Sequence, residues 1–165
     1  MKHHPRIALA AIMLVLAICC HTPAMAAPEA AEYRLSRGQT VYVPVYSNVF
    51  SGPKALPFSL ATMLSIRNVD LHNQVRITAI EYHDTGGKLL RSHLDKPLTL
   101  PPLGSTSIYL GEQDTSGGFG ASFVVRWDAR TVINAPIVEC VMIGAKSGQG
   151  ISFVSHGQVI KENTR

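Results

Sequence analysis

An all-β domain, built of antiparallel sheets packed as a sandwich, is the fold this chain predicts, and three observations carry that expectation. Apolar residues recur at every second position in short runs, which is the period of a half-buried strand. Clusters of Gly, Pro, Asn and Asp separate the runs and supply the backbone conformations that turns need. No stretch of useful length carries the i, i+3, i+4 spacing of an amphipathic helix.

The first 26 residues read as a signal peptide. Residues 1–6 are basic, residues 7–18 are unbroken apolar, and Ala24-Met25-Ala26 is a small-x-small cleavage site. The apolar run is shorter than the roughly 20 residues a spanning helix needs, so cleavage is expected over retention as an anchor. The mature form then has no transmembrane segment. Leu16-Ala17-Ile18 ahead of Cys19 opens an alternative, lipid attachment through Cys19 or Cys20, although Ile18 stands where a small residue is usual. Either route places the domain outside the cytoplasm, in the periplasm or beyond. Loss of Lys2 and Arg6 lowers the net charge from +4 to +2 with the signs interspersed, so no basic patch is expected and nucleic acid is excluded as a partner. Cys140 is the one cysteine left after cleavage. An oxidising compartment therefore offers it no intramolecular disulfide, and the fold must rest on its core.

Residues 27–37 lack a sustained period and read as a flexible arm. From Gln39 to Tyr46 the valines 41, 43 and 45 share one face, and Pro44, which cannot donate to a ladder, predicts an edge strand. Residues 48–57 read as a loop around the turn signal Ser51-Gly52-Pro53-Lys54. Leu60, Leu64 and Ile66 share a face, as do Val75 and Ile77, and the two runs predict a hairpin joined by residues 68–74. Inward parity then slips from odd (Val75, Ile77) to even (Ile80, Tyr82), which predicts a β-bulge near Ala79. Asp84-Thr85-Gly86-Gly87 predicts a tight turn leading into a strand over residues 88–94. Leu98 to Leu103 is extended, but Pro101 and Pro102 bar it from a sheet centre. Ile108 and Leu110 point inward from a strand over 105–110, and residues 111–120 form a glycine-rich loop. Phe123, Val125 and Trp127 alternate with Ser122, Arg126 and Asp128 in the cleanest strand of the chain. Residues 136–143 are apolar on both faces apart from Glu139, as in a central strand covered on two sides or one beside a chain terminus. Two short strands over 151–155 and 158–160 end the domain, and residues 161–165 are a polar tail.

About eight strands over residues 38–160 predict an immunoglobulin-like sandwich, with an eight-stranded barrel as the alternative. Val43-Pro44-Val45-Tyr46-Ser47, Ser51-Gly52-Pro53-Lys54, Leu64-Ser65-Ile66-Arg67-Asn68, Asp114-Thr115-Ser116-Gly117-Gly118 and Gly150-Ile151-Ser152-Phe153 together resemble an uncharacterised bacterial family of exported proteins, a domain of unknown function. The resemblance spans residues 38–160. It implies export and a single domain, and it assigns no activity or catalytic residue.

No catalytic constellation stands out. Asp84-Thr85-Gly86 spells the aspartic-protease triplet, but Tyr82-His83 precede it where apolar residues would seat the acid in a dry site, so turn chemistry is favoured. His72, His83, His93 and His156 lack metal-ligand spacing, although His83 and His93 flank one predicted hairpin with Asp84. Neither a metal nor another cofactor is expected. Cys140 alternates with Val138 and Met142 and reads as core. Gly144-Ala145-Lys146-Ser147 lacks the glycines of a phosphate loop and reads as a hairpin turn.

Two loops remain as candidates. Phe50, Lys54, Leu56 and Phe58 join apolar surface and one cation with conformation-limiting prolines, a composition suited to docking. Asp114, Thr115 and Ser116 stand in a glycine-rich loop able to bind an anion or saccharide. The leading reading is a non-enzymatic binding or interaction module of the bacterial envelope, with an envelope protein or a small ligand as partner. The alternatives are an envelope hydrolase assembled from Asp114, Ser116 and His156, or a small-ligand or metal-binding protein.

Overall fold

The computed structural model describes residues 34–146 and 148–163. The expected signal peptide, with Cys19 and Cys20, and most of the expected arm lie outside the described residues. Strand makes up 66% of the described residues and helix none. Accordingly, no helix among them is long and apolar enough to cross a membrane. In chain order the strands are β1 (Leu35–Val45), β2 (Asn48–Ser51), β3 (Leu56–Ser59), β4 (Ala61–Arg67), β5 (Val75–His83), β6 (Leu89–Ser92), β7 (Leu98–Leu100), β8 (Ser105–Leu110), β9 (Ala121–Asn134), β10 (Ile137–Lys146), β11 (Gln149–His156) and β12 (Gln158–Glu162).

These strands form a six-stranded sheet in the order β12-β1-β9-β5-β6, with β7 also on β5, and a four-stranded sheet β11-β10-β4-β8. The β2-β3 pair stands apart. All pairing is antiparallel and no sheet closes into a barrel, so the β-sandwich expectation holds over the barrel. The reason lies in the alternation. Val41, Val43 and Val45 of β1, Phe123, Val125 and Trp127 of β9, and Ile77, Ile80 and Tyr82 of β5 are all buried. They join Leu64, Ile66, Cys140 and Met142 of the second sheet in one core cluster. Each large side chain so buried stabilises the fold by about 1.5–3 kcal/mol, and a one-residue slip of any strand would turn the whole set to water.

The predicted bulge is present. Ile77 faces Trp127 and Ala79 faces Arg126, leaving Thr78 as the additional residue of β5. Its hydroxyl donates to the Arg126 carbonyl at 3.2 Å, so the parity slip costs no buried polar group. The turn at residues 84–87 also forms, with Gly87 at φ 81° and its N–H on the Asp84 carbonyl at 2.9 Å.

Several expectations are corrected. Among the described residues twelve strands stand where about eight were expected. Leu60 to Ile66 and Val75 to Ile77 do not form a hairpin: β4 pairs with β10 and β8, whereas β5 lies in the other sheet, because alternation fixes which face is buried and not which strand is adjacent. β1 is not an edge, since β12 covers Gln39 to Tyr42; Pro44 is tolerated beyond that covered stretch. β1 begins at Leu35, inside the expected arm, and β12 runs through Glu162, inside the expected tail. Gly144 to Lys146 belong to β10 and pair with β11, so the turn falls later, at Gly148 with φ 78°. β10 is central in pairing, but only one of its faces is covered, for Ile137 and Ile143 are exposed. His83 and His93 are half-buried.

Cys140 is fully buried, and burial pushes its thiol up to about 12. At neutral pH the reactive thiolate is therefore scarce as well as inaccessible. Ellman's reagent is expected to leave Cys140 unmodified in the native domain and to titrate it at once in denaturant; rapid native reaction would contradict the buried placement.

Candidate functional site

The first candidate loop is a hairpin. Asn48 to Ser51 pair with Leu56 to Ser59 around a turn in which Gly52 takes φ 71° and Ala55 N–H donates to the Gly52 carbonyl at 3.0 Å. Phe50 lies on the face opposite Phe58, and Leu56 shares Phe58's face but sits at the turn end of the hairpin. Phe50 and Leu56 are 60% and 61% exposed, whereas Phe58 is 6% exposed and part of the core. Phe58 is thus an anchor, a correction to its reading as contact surface. It packs over Gly144 of β10, where an added Cβ would come within 2.6 Å of its ring and 2.7 Å of the Ser59 carbonyl. Lys54 lies exposed in the turn.

The second candidate loop, residues 111–120, is held by its own polar residues. The Asp114 carboxylate accepts from the Ser116 N–H and hydroxyl and from Arg91 at 3.3 Å. The Ser116 hydroxyl, then the Ser116 N–H and Arg91, hold its pKa below the usual carboxylate range. Asp114 and Ser116 are therefore committed to the loop's shape. Gly117 lies where any Cβ would fall 2.0 Å from the Tyr82 hydroxyl oxygen, and Gly118 takes φ 74°, which L-residues with side chains rarely adopt. Thr115 is exposed, and its carbonyl accepts from Gly118 N–H at 3.2 Å. Thr85, from the protease-like triplet, clamps the same loop: its N–H and hydroxyl both donate to the Gly117 carbonyl at 3.0 Å, and its hydroxyl accepts from Gly120 N–H at 3.0 Å. Asp84 accepts from Gly86 and Lys88 N–H at 2.9 Å. Turn chemistry accounts for this triplet.

The structure brings the two loops together. Ser47 N–H donates to the Gly118 carbonyl at 3.1 Å, the Ser47 carbonyl accepts from Leu60 N–H at 2.9 Å, and the Ser47 hydroxyl shares a 3.0 Å hydrogen bond with Tyr82. Over this buried joint runs a chain of rings. Phe153 of β11 meets Tyr46 edge-on at 5.5 Å, Tyr46 meets Phe119 edge-on at 5.2 Å, and Phe119 meets Phe50 at 6.1 Å. Such pairs contribute about 0.5–1.5 kcal/mol each beyond burial. Phe119 is 50% exposed, so with Phe50 it presents an exposed aromatic pair on a hydrogen-bonded base, whereas Leu56, opposite Ser51, faces the other side of the hairpin. Phe119 and Tyr46 were not among the sequence candidates; an aromatic between two glycines, at Gly118-Phe119-Gly120, was the available signal.

Other candidate residues stay apart. The His156 side chain is 80% exposed, with Nδ1 3.6 Å from Glu139, and has no contact with Asp114 or Ser116 among the described residues. His83 Nδ1 lies 3.2 Å from the Gly87 carbonyl and its Nε2 3.5 Å from Glu81. His93 packs against Phe123, and burial pushes its pKa down. Among the described residues no three of His, Cys, Asp and Glu gather as a metal site.

Thr85→Val removes the hydroxyl's two hydrogen bonds to the second loop while keeping the side chain's shape. At about 0.5–1.5 kcal/mol per bond, the variant is expected to lower unfolding free energy by roughly 1–3 kcal/mol and to speed amide exchange at Gly120; unchanged exchange there would contradict the clamp.

No curated protein matches the chain. The crystal structure of Thermotoga maritima 1070 is similar over 76% of this chain and 97% of its own, at 10% identity and a TM-score of 0.46, a likeness at which nothing about function transfers. The family model described as "Protein of unknown function (DUF3124)" matches residues 38–160, the same span as the expected domain. The chain therefore belongs to the DUF3124 family of proteins of unknown function.

Proposed function

We propose that this protein is an exported, non-enzymatic interaction module of the bacterial envelope that docks a protein partner on the face formed by Phe50 and Phe119. The observation that supports this reading most is the meeting of the two loops. Segments more than sixty residues apart in the chain present one aromatic face, and exposed aromatics on a rigid base are what interface hot spots are made of. The loop polar groups are already engaged with one another, so little ordering entropy opposes binding. Pro53 and Pro57 stiffen the hairpin further. Lys54 beside the apolar face suits a partner that offers an apolar segment next to an acidic residue. Export is supported by the basic, apolar and small-residue pattern of residues 1–26. An immunoglobulin-like architecture for the sandwich accords with recognition by loops.

The Phe50→Ser and Phe119→Ser variants are expected to keep the native melting profile to within the small shifts usual for surface changes. Both are expected to lose co-purification of the envelope partner after in-cell crosslinking, with an affinity loss of at least about tenfold, as for a hot spot. Ile160→Ser, at another exposed apolar position, is the control and should bind like wild type. Retained capture by both phenylalanine variants would refute the reading.

A further inference from the structure

At the other end of the sandwich lies an open cleft of about 1380 Å³ whose charged lining is Arg37, Arg76, Arg130 and Lys161 against Asp128 and Glu162. Arg37 lies near the start of β1 and Tyr46 just past its end, nine residues on and about 30 Å away at the rise of a strand, so this cleft is separate from the aromatic face. Three structural features build it. On β9, residues 129–132 have no partner in β1, where Arg37 alone separates Ser36 from Gly38. A ladder break of this kind re-aims side chains, and it turns Arg130 and Thr131 into the cleft. The break is seated by Gly38, where an added Cβ would lie 2.8 Å from the Trp127 carbonyl.

The second feature is a braced wall. Asn68 Nδ2 donates to the Asn73 and Pro101 carbonyls at 2.8 Å. The Asp70 carboxylate accepts from the N–H groups of His72, Asn73 and Asn134 at 2.8–3.1 Å, and these backbone donors hold it at about 2. That lies below its ordinary 3.8, so the brace is fully present above that value and is lost only as pH falls towards 2. The third feature is the far wall, where Asn163 N–H donates to the Gly38 carbonyl at 2.8 Å and fixes the end of β12 beside β1.

The charges are unequal and unequally committed. Asp128 is held bidentately by Arg76 at 2.6 and 2.7 Å, and Glu162 accepts from Ser36 and Gln39. Arg130 and Lys161 have neither an ion pair nor a side-chain hydrogen bond among the described residues. Four cations against two engaged acids leave a positive concave surface, and a cleft focuses such a field. Thr99, Thr131, Gln74 and Asn163 place hydroxyl and amide groups among the cations, and no Phe, Tyr or Trp lines the cleft, where His72 is the one ring. Successive stacking platforms for bases are thus lacking, a single imidazole being the only ring, whereas hydroxyls and amides interleaved with cations complement sugar hydroxyls interleaved with anionic groups.

We propose that this cleft binds an acidic polysaccharide, a glycan chain bearing repeated carboxylate groups, with Arg130 and Lys161 as its principal anion contacts.

The test is titration of the mature protein with polygalacturonate, with neutral dextran of matched length, and with a DNA oligonucleotide, at about 50 and 300 mM salt. Saturable binding of polygalacturonate is expected, at least tenfold weaker at the higher salt, with no binding of dextran. Arg130→Glu/Lys161→Glu should weaken it at least tenfold further while leaving the melting temperature and partner capture through Phe119 unchanged. Arg130→Lys should retain most of the affinity, which separates charge from folding. Absence of polygalacturonate binding, binding indifferent to the charge reversal, or tighter binding of DNA would each overturn the proposal.

Discussion

Everything in this domain depends on β9 being buried on one face while paired along both edges. Phe123, Val125 and Trp127 are fully buried, and the same stretch pairs with β1 on one side and β5 on the other. Register is therefore fixed twice over. With about 1.5–3 kcal/mol at stake in each large side chain, a slip of one residue would cost more than the few kcal/mol by which a typical domain is stable. Both neighbours accommodate that register with irregularities of their own, Thr78 in β5 and the break around Arg37 in β1.

Both proposed sites lie where this strand's regular pairing ends. Ahead of Ala121, the glycine-rich loop has to pass the Tyr82 hydroxyl, and only a residue without a side chain fits at Gly117. That close approach positions Phe119 beside Phe50. Beyond Asp128, the ladder with β1 is interrupted and Arg130 leaves the sheet's alternation. The rigid middle of β9 thus supplies stability, and the irregular ends supply surfaces. One is apolar and flat enough for a protein; the other is concave, polar and cationic.

What the sequence disclosed follows from the range of the forces involved. The bulge at Thr78, the turn at residues 84–87 and the burial of Cys140 were legible because alternation, glycine placement and proline chemistry act within a few residues. The partner of β4 was not, since alternation is blind to adjacency. The β2-β3 hairpin was hidden by Pro53 and Pro57, which read as loop, and the last residues of β9 were hidden because Arg130 and Thr131 break its apolar period. The two candidate loops could be named but not joined; Ser47, a small polar residue with no motif, makes the joint. The cleft was invisible for the same reason. Its cations at positions 37, 76, 130 and 161 are dispersed through the chain, and only the sheet order gathers them.

Site-specific photocrosslinking in living cells tests the central claim most directly, with p-benzoylphenylalanine placed in turn at Phe50, Phe119 and Ile160. If the two loops form one docking face, positions 50 and 119 yield adducts of the same mass containing the same partner, and position 160 yields none. Different adducts from the two loops, or none from either, would contradict it.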